Sequence, residues 1–306
     1  MINRTQKALV VAGPTASGKT ALGVELASLL NGEILSADSR QVYRGLDIGS
    51  GKDLAEYVYQ GRAVPYHLID IADLSMEFSV FHYQQAFYQA FEEVCRRDKL
   101  PVIVGGTGLY LEAALSKYQL VPVPENLELR EELVHLDMGA LAQRLRAAKP
   151  GLHDETDLVD RERTIRAIEI AEYKAASPPP PAPDIAPLLL VIMHSPDLLR
   201  GRIALRLHDR MEHGLIEEVE GLHRQGVSWE RLEQLGLEYR FVAQYLQGTI
   251  RNRNDLFQKL NGAISQFAKR QRTWFRGMER RGFTVHWLPD ADPASALQVI
   301  RKNDFK

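Results

Sequence analysis

The chain has 306 residues, 45% hydrophobic and 25% charged, enough to bury one main core and a smaller second one. Its longest apolar stretches, such as Leu188 to Met193, are too short to span a bilayer and its polar N-terminus lacks the apolar core of a signal peptide, so the cytoplasm is the expected compartment. A formal net charge of −2 shows no nucleic-acid footprint in the total, a single cysteine excludes an intrachain disulfide, and no Cys/His cluster suggests zinc.

In chain order, Ala8-Leu-Val-Val11 predicts a strand that runs into Gly13-Pro-Thr-Ala-Ser-Gly-Lys-Thr20, and Ala21 to Leu30 predicts a helix leaving it. Strand, loop and helix together make a complete phosphate-binding loop. Gly13 and Gly18 let backbone N–H groups turn toward anionic oxygens, Lys19 adds a positive charge, and the helix N-terminus adds its dipole. That chemistry asks for two linked phosphates, and nothing in it requires a nucleoside. Further strands are expected at Glu33 to Ala37, Tyr66 to Asp70 and Pro101 to Val104, with a helix from Val80 to Arg97 in which Cys95 reads as a packed side chain. Continuous apolar runs separated by helices indicate an α/β fold with a mostly parallel sheet covered on both faces. The phosphate loop, Asp38 and Gly105-Gly-Thr-Gly108 each follow a strand directly, so they are expected to converge on one cleft.

From Val121 the pattern becomes charged and helix-periodic, with helices expected within Glu125 to His135, Ala140 to Ala148 and Asp160 to Lys174. Residues 121–184 therefore read as an all-helical insertion in a core made of 1–120 and 185–306, closed by the stiff, extended run Ser177-Pro-Pro-Pro-Pro-Ala-Pro183. Leu188 to Met193 reads as a strand returning to the sheet. Helices are expected through Pro196 to Gly226 and from Asp255 to Arg276, and a late strand from Phe283 to Leu288.

Three segments could carry chemistry beside the loop. A kinase or ATPase would hold Mg²⁺ with the loop Ser/Thr and an acid ending an apolar strand, and Asp70 is the only candidate for that acid. The glycine-rich end of Val102-Ile-Val104 instead suits close approach by a flat ligand, with Thr107 offering a hydroxyl, or else is a tight strand-to-helix turn. In Ser36-Ala-Asp-Ser-Arg-Gln41, Asp38 is either a general base with polar neighbours or a helix cap. Lys269-Arg-Gln-Arg-Thr-Trp-Phe-Arg276, continuing to Arg280 and Arg281, is the one local cationic and aromatic cluster: an RNA contact, or a cationic helix end.

In combination the segments resemble the tRNA dimethylallyltransferase family, also called tRNA isopentenyltransferases. The resemblance rests on Gly13 to Thr20, Ala37-Asp-Ser-Arg-Gln-Val-Tyr-Arg-Gly-Leu-Asp-Ile-Gly49, Val104-Gly-Gly-Thr-Gly-Leu-Tyr110, Arg163-Thr-Ile-Arg-Ala-Ile-Glu169, the helix Arg202 to Met211, and Lys269 to Arg276, in family order across nearly the whole chain. It implies a P-loop NTPase-like core with an inserted tRNA-binding domain. The implied reaction moves a dimethylallyl group from dimethylallyl diphosphate to N6 of adenosine 37 in tRNA, in a monomer without membrane attachment. By the same resemblance Gly13, Pro14, Thr15, Ala16, Ser17, Gly18, Lys19 and Thr20 hold the diphosphate, Thr20 with Mg²⁺, and Arg206 assists. Asp38 is the implied base and orients N6, while Thr107 shapes the adenine site. Ser39, Arg40, Gln41, Tyr239, Arg240, Lys269, Arg270, Gln271, Arg272, Trp274 and Arg276 are implied tRNA contacts, and Arg130, Arg163 and Arg166 of the insertion grip the anticodon stem. Arg202, Arg206 and Arg210 share one helix face by spacing, with at least one expected to face solvent.

The chain departs from the family pattern at Gly49-Ser-Gly-Lys-Asp53, which lacks a proline, and at Glu238-Tyr239, which puts a carboxylate where a glycine is usual. Three other readings are an adenylate isopentenyltransferase acting on free AMP, ADP or ATP, a P-loop kinase or ATPase, and an RNA-binding module with a relic site.

Overall fold

The computed structural model describes residues 5–116, 120, 121, 123–149, 158, 160–173 and 182–305. The apolar runs form strands β1 (Gln6–Ala12), β2 (Gly32–Ala37), the hairpin β3 (Val58–Tyr59) and β4 (Arg62–Ala63), β5 (Tyr66–His67), β6 (Leu100–Gly105), β7 (Ile185–Ile192) and β8 (Val285–Leu288). Six of them make one parallel sheet in the order β5-β2-β6-β1-β7-β8. β1 is central, with Leu9 opposite Val102 on one side and Leu188 on the other. Ala8 to Ala12 are wholly buried, as both-face coverage requires and as their unbroken apolar run foretells.

The helices are α1 (Lys19–Leu29), α2 (Val80–Arg96), α3 (Gly108–Leu115), α4 (Leu127–Leu133), α5 (Met138–Ala148), α6 (Arg161–Glu172), α7 (Pro196–Glu212), α8 (Leu215–Arg224), α9 (Trp229–Gln234), α10 (Leu237–Leu246), α11 (Arg253–Arg280) and α12 (Pro293–Lys302). One large core joins the sheet to α2, α7, α10 and α11 through residues such as Tyr83, Phe87, Leu207, Tyr239 and Phe275, and a second joins the other face to α1 and α12. None of these helices is long and apolar enough to cross a membrane.

The expected third strand is the main local correction. β5 stops at His67, because Leu68 (φ 67°) and Asp70 (φ 56°) adopt left-handed backbone and the chain turns to pair Asp70 N–H with Gln41 O and Ile71 N–H with Val42 O. The turn is held by Lys52, whose buried ammonium donates to Asp70 Oδ1 at 2.5 Å and Asp47 Oδ1 at 2.7 Å. Hairpin β3–β4 and helices α9 and α12 have no counterpart among the expected elements.

The chain divides into two compact units, 1–118 with 182–306, and 119–181. Within the second, α4, α5 and α6 surround Leu129, Leu133, Leu141, Leu145 and Ile168. Buried Glu169 accepts from Arg130 Nε (2.7 Å), Arg166 Nη1 (2.9 Å) and the Asn126 N–H (2.9 Å). Burial alone would raise its pKa, yet these donors hold the carboxyl down at about 2. Residues 177–181 of the proline run and Lys174 lie outside the described residues.

Candidate active site

Three loops leave the carboxyl ends of β1, β2 and β6 and enclose, with α7, α10 and α11, a cavity of about 390 Å³. Thr15, Lys19, Thr20, Asp38, Thr107 and Arg206 all line it, so the expected convergence occurs. The β1 loop turns through Ala16 (φ 61°) and Gly18 (φ 87°) into α1, whose N-terminus has no side-chain cap. Its first-turn N–H groups are thereby left for an anion. Ser17 Oγ, fully buried in the loop, has no hydrogen-bond partner among the described residues.

Lys19 lies within the cleft with Nζ 3.4 Å from Pro14 O. Burial pushes its pKa down to about 8; Asp38 opposes the shift and Arg206 reinforces it. Arg206 donates to Thr15 Oγ1, and burial followed by the like charge of Arg210 lowers its pKa to about 10. Two buried cations, both shifted toward their neutral forms, define a place where added negative charge is favoured.

All three spaced arginines of α7 reach cleft loops. The helix starts where Ser195 Oγ accepts from Leu198 N–H with Pro196 in the first turn, and it buries Leu199, Ile203, Leu207 and Met211 on its other face. Arg202 is the exposed one, yet its Nη1 still lies 3.4 Å from Ser17 O and 2.7 Å from His194 Nε2. Arg210, which sequence reasoning left out of the site, lines the cavity, donates to Gly49 O at 3.3 Å and pairs with Glu238 at 3.5 Å. The unusual carboxylate thus faces into the cleft and finds its counterion there.

On the opposite wall, Asp38 Oδ1 accepts the N–H groups of Arg40 (2.9 Å) and Gln41 (3.4 Å), capping a turn and not a helix. Its second oxygen has no hydrogen bond among the described residues, so one lone-pair face is free in the cavity. Thr107 ties the β6 loop to this turn: Oγ1 accepts Ser39 N–H at 3.1 Å and donates to Ser39 Oγ at 3.4 Å. Gln41 donates to Gly51 O and accepts from Ser36 Oγ, so its amide braces the turn. Arg40 lines the cavity beside Gly236 with its guanidinium unpaired among the described residues.

The glycines at the end of β6 line the cavity and also have an internal cause in close packing. A Cβ on Gly105 would strike Ala37, one on Gly106 would meet Gln271 Nε2, and one on Gly108 would run into the Trp274 indole. Trp274 stands on the cavity wall between Gly108 and the Arg281 guanidinium, 5.3 Å from its ring centre, with its buried Nε1–H unpartnered among the described residues.

Several expected tRNA contacts have other tasks. Gln271 is buried, accepting from Thr15 N–H at 2.9 Å and donating to Gly106 O at 2.8 Å, so the Thr15 amide is already paired within the protein. Tyr239 is buried; its hydroxyl donates to Glu218 (2.8 Å) and accepts Ser50 N–H (3.1 Å). Glu218 also collects the N–H groups of Asp47, Ile48 and Gly49, which sets the loop that lacks its proline. Arg130 and Arg166 hold Glu169, and Arg272 Nε lies 3.1 Å from Met193 Sδ. Arg240 is exposed and donates to Glu233 O. Lys269 and Arg276 are exposed without a side-chain partner among the described residues, Arg270 sits over Phe267, and Arg163 has only a 3.9 Å approach to Asp160. Asp70, the acid a kinase would need, is bound to Lys52 at a separate hollow.

A glycine-rich strand-to-helix loop, buried cations and a half-free carboxylate at the carboxyl ends of a parallel sheet define the active cleft of an α/β enzyme. The family model described as IPP transferase matches residues 41–278, and the chain belongs to that family. It is 57% identical over 297 residues to tRNA dimethylallyltransferase 1 of Geotalea uraniireducens, covering 96% of this chain and 97% of that one. It is 56% identical over 294 residues to tRNA dimethylallyltransferase 1 of Geotalea daltonii, covering 95% and 94%. Among solved structures, the tRNA isopentenylpyrophosphate transferase of Bacillus halodurans superposes with a TM-score of 0.68 at 31% identity, covering 99% of this chain and 95% of that one.

Proposed function

We propose that the chain transfers a dimethylallyl group from dimethylallyl diphosphate to N6 of adenosine 37 in tRNA, releasing diphosphate. The observation that carries the reading is one cavity holding Lys19, Arg206 and the free oxygen of Asp38. The allylic C1–O bond breaks with its electron pair going to the diphosphate, the N6–C1 bond forms, and the N6 proton passes to Asp38. An allylic carbon ionises readily once its leaving group is stabilised, so the first demand is electrostatic: loop N–H groups, Lys19 and Arg206 around the departing charge. The second is a base, because the N6 lone pair is delocalised into the ring.

Thr20 on the cavity wall and diphosphate oxygens suit Mg²⁺, a hard ion commonly held by few protein oxygens plus substrate phosphates. When bound it supplies further positive charge to the leaving group. Leu109, Ile264, Phe267 and Trp274 give the cavity an apolar side fit for a prenyl chain and an adenine ring. The adenine must leave the anticodon stack to enter, at a cost of about a few kcal/mol. Arg40, Lys269, Arg270 and Arg276, none of them paired with a carboxylate among the described residues, suit the RNA backbone.

The test is incubation with labelled dimethylallyl diphosphate and either unmodified tRNA or AMP. Label on N6 of the tRNA is expected. Label on AMP alone would sink the tRNA reading, and rapid ATP hydrolysis without transfer would move the chain to the kinase class.

A further inference from the structure

The buried amide of Gln271 is one turn before Trp274 on α11, lines the same cavity, and makes no hydrogen bond to Asp38 or Lys19 among the described residues. One end binds the phosphate loop, at Thr15 N–H, and the other binds the β6 loop, at Gly106 O. The next residue along the β6 loop is Thr107, whose hydroxyl holds Ser39 beside Asp38. A short chain of hydrogen bonds therefore connects the loop for the leaving group to the turn carrying the carboxylate. Gly106 has no room for a Cβ because Gln271 Nε2 would lie 2.6 Å from it and Gly13 O 3.1 Å, so the two loops and the amide pack as one layer.

We propose that Gln271 is a positioning residue that sets the spacing between the diphosphate loop and the Asp38 turn, and so aligns donor carbon, amine and base. The inference rests on the prenyl-transfer reading and deepens it. An amide suits the task because the two loops present opposite groups, an N–H and a C=O, across one gap. A primary amide offers an acceptor and a donor a fixed distance apart. No other uncharged side chain of that length does both. Loss of the strut leaves each loop able to bind its own ligand but frees their separation, and misplacement by about 1 Å costs roughly a hundredfold in rate.

The signature is a division between binding and turnover. In Gln271→Met, which keeps the length and loses both bonds, kcat is expected to fall by about a hundredfold. Inhibition by inorganic pyrophosphate and binding of unmodified tRNA should each stay within about threefold of wild type. Gln271→Glu keeps one acceptor but turns a carboxylate oxygen on Gly106 O, and the same pattern is expected from it. Thermal unfolding of both variants identifies a variant that has simply lost its fold, and the surviving one decides. A kcat within twofold of wild type overturns the inference. A tenfold loss of tRNA affinity with unchanged kcat at saturation also overturns it and makes Gln271 an RNA contact. A loss of pyrophosphate affinity as large as the loss of kcat makes it part of the anion site only. If the wild-type protein itself transfers no prenyl group, the underlying reading fails and this inference falls with it, whereas an active wild type with unaffected variants overturns this inference alone.

Discussion

Lys19 gives the site a titration of its own. Burial brings its pKa to about 8 in the free protein, so the ammonium is present below that pH and lost above it. A bound diphosphate favours the charged form and carries the pKa back up. Consequently kcat/KM for the prenyl donor, which reports the free enzyme, should fall as pH rises through about 8, while kcat holds to higher pH. Parallel profiles for the two constants would contradict this. For Asp38→Asn, tRNA affinity should be nearly unchanged and transfer reduced by about a hundredfold or more, read by single-turnover label transfer; wild-type turnover would remove Asp38 as the base. That Lys19, Asp38 and Thr107 share one cavity is legible in the sequence because each lies in a segment that directly follows a strand, whereas Arg206 is placed there by the family resemblance alone. The partners that Gln271, Tyr239, Arg130 and Arg166 find inside the protein are not legible. A sequence shows that an arginine is present and not whether a buried glutamate faces it.

At the scale of elements, the three-helix unit depends on one carboxylate. Glu169 is held at about 2 against an ordinary 4.5, so its stabilising contribution is complete above about pH 4.5 and is lost as pH falls toward 2. Glu169→Gln should lower the stability of α4–α6 by about 3 kcal/mol and flatten that acid transition, measured by urea unfolding at several pH values. No change at neutral pH would show the network to be ornamental. Strands β1, β2, β6 and β7 and helices α1, α2, α7 and α11 follow from apolar runs and periodicity, since burial of a face leaves a pattern. The end of β5 does not. It is decided by the Lys52 ammonium and by the backbone of Gln41 and Val42, partners remote along the chain that leave no mark on the residues around His67.

The whole molecule carries a net charge of only −2, so RNA affinity must come from a few unpaired cations and not from a general field. Arg276→Ala should weaken tRNA binding modestly and reduce the slope of log affinity against log salt by about 1. Arg130→Ala should leave that slope unchanged and destabilise the helical unit instead, because its guanidinium serves Glu169. Filter binding across salt concentrations checks both; equal slopes for Arg276→Ala and wild type would take Arg276 off the RNA path. The chain has three tryptophans, and each has a different neighbour: Trp229 stacks on His223, Trp287 donates to Glu279, and Trp274 alone forms part of the cavity wall. A variant with Trp229 and Trp287 replaced by phenylalanine would therefore keep a single indole against the substrate. Its emission would give a label-free optical signal of cavity filling, in real time, from the unmodified side chain.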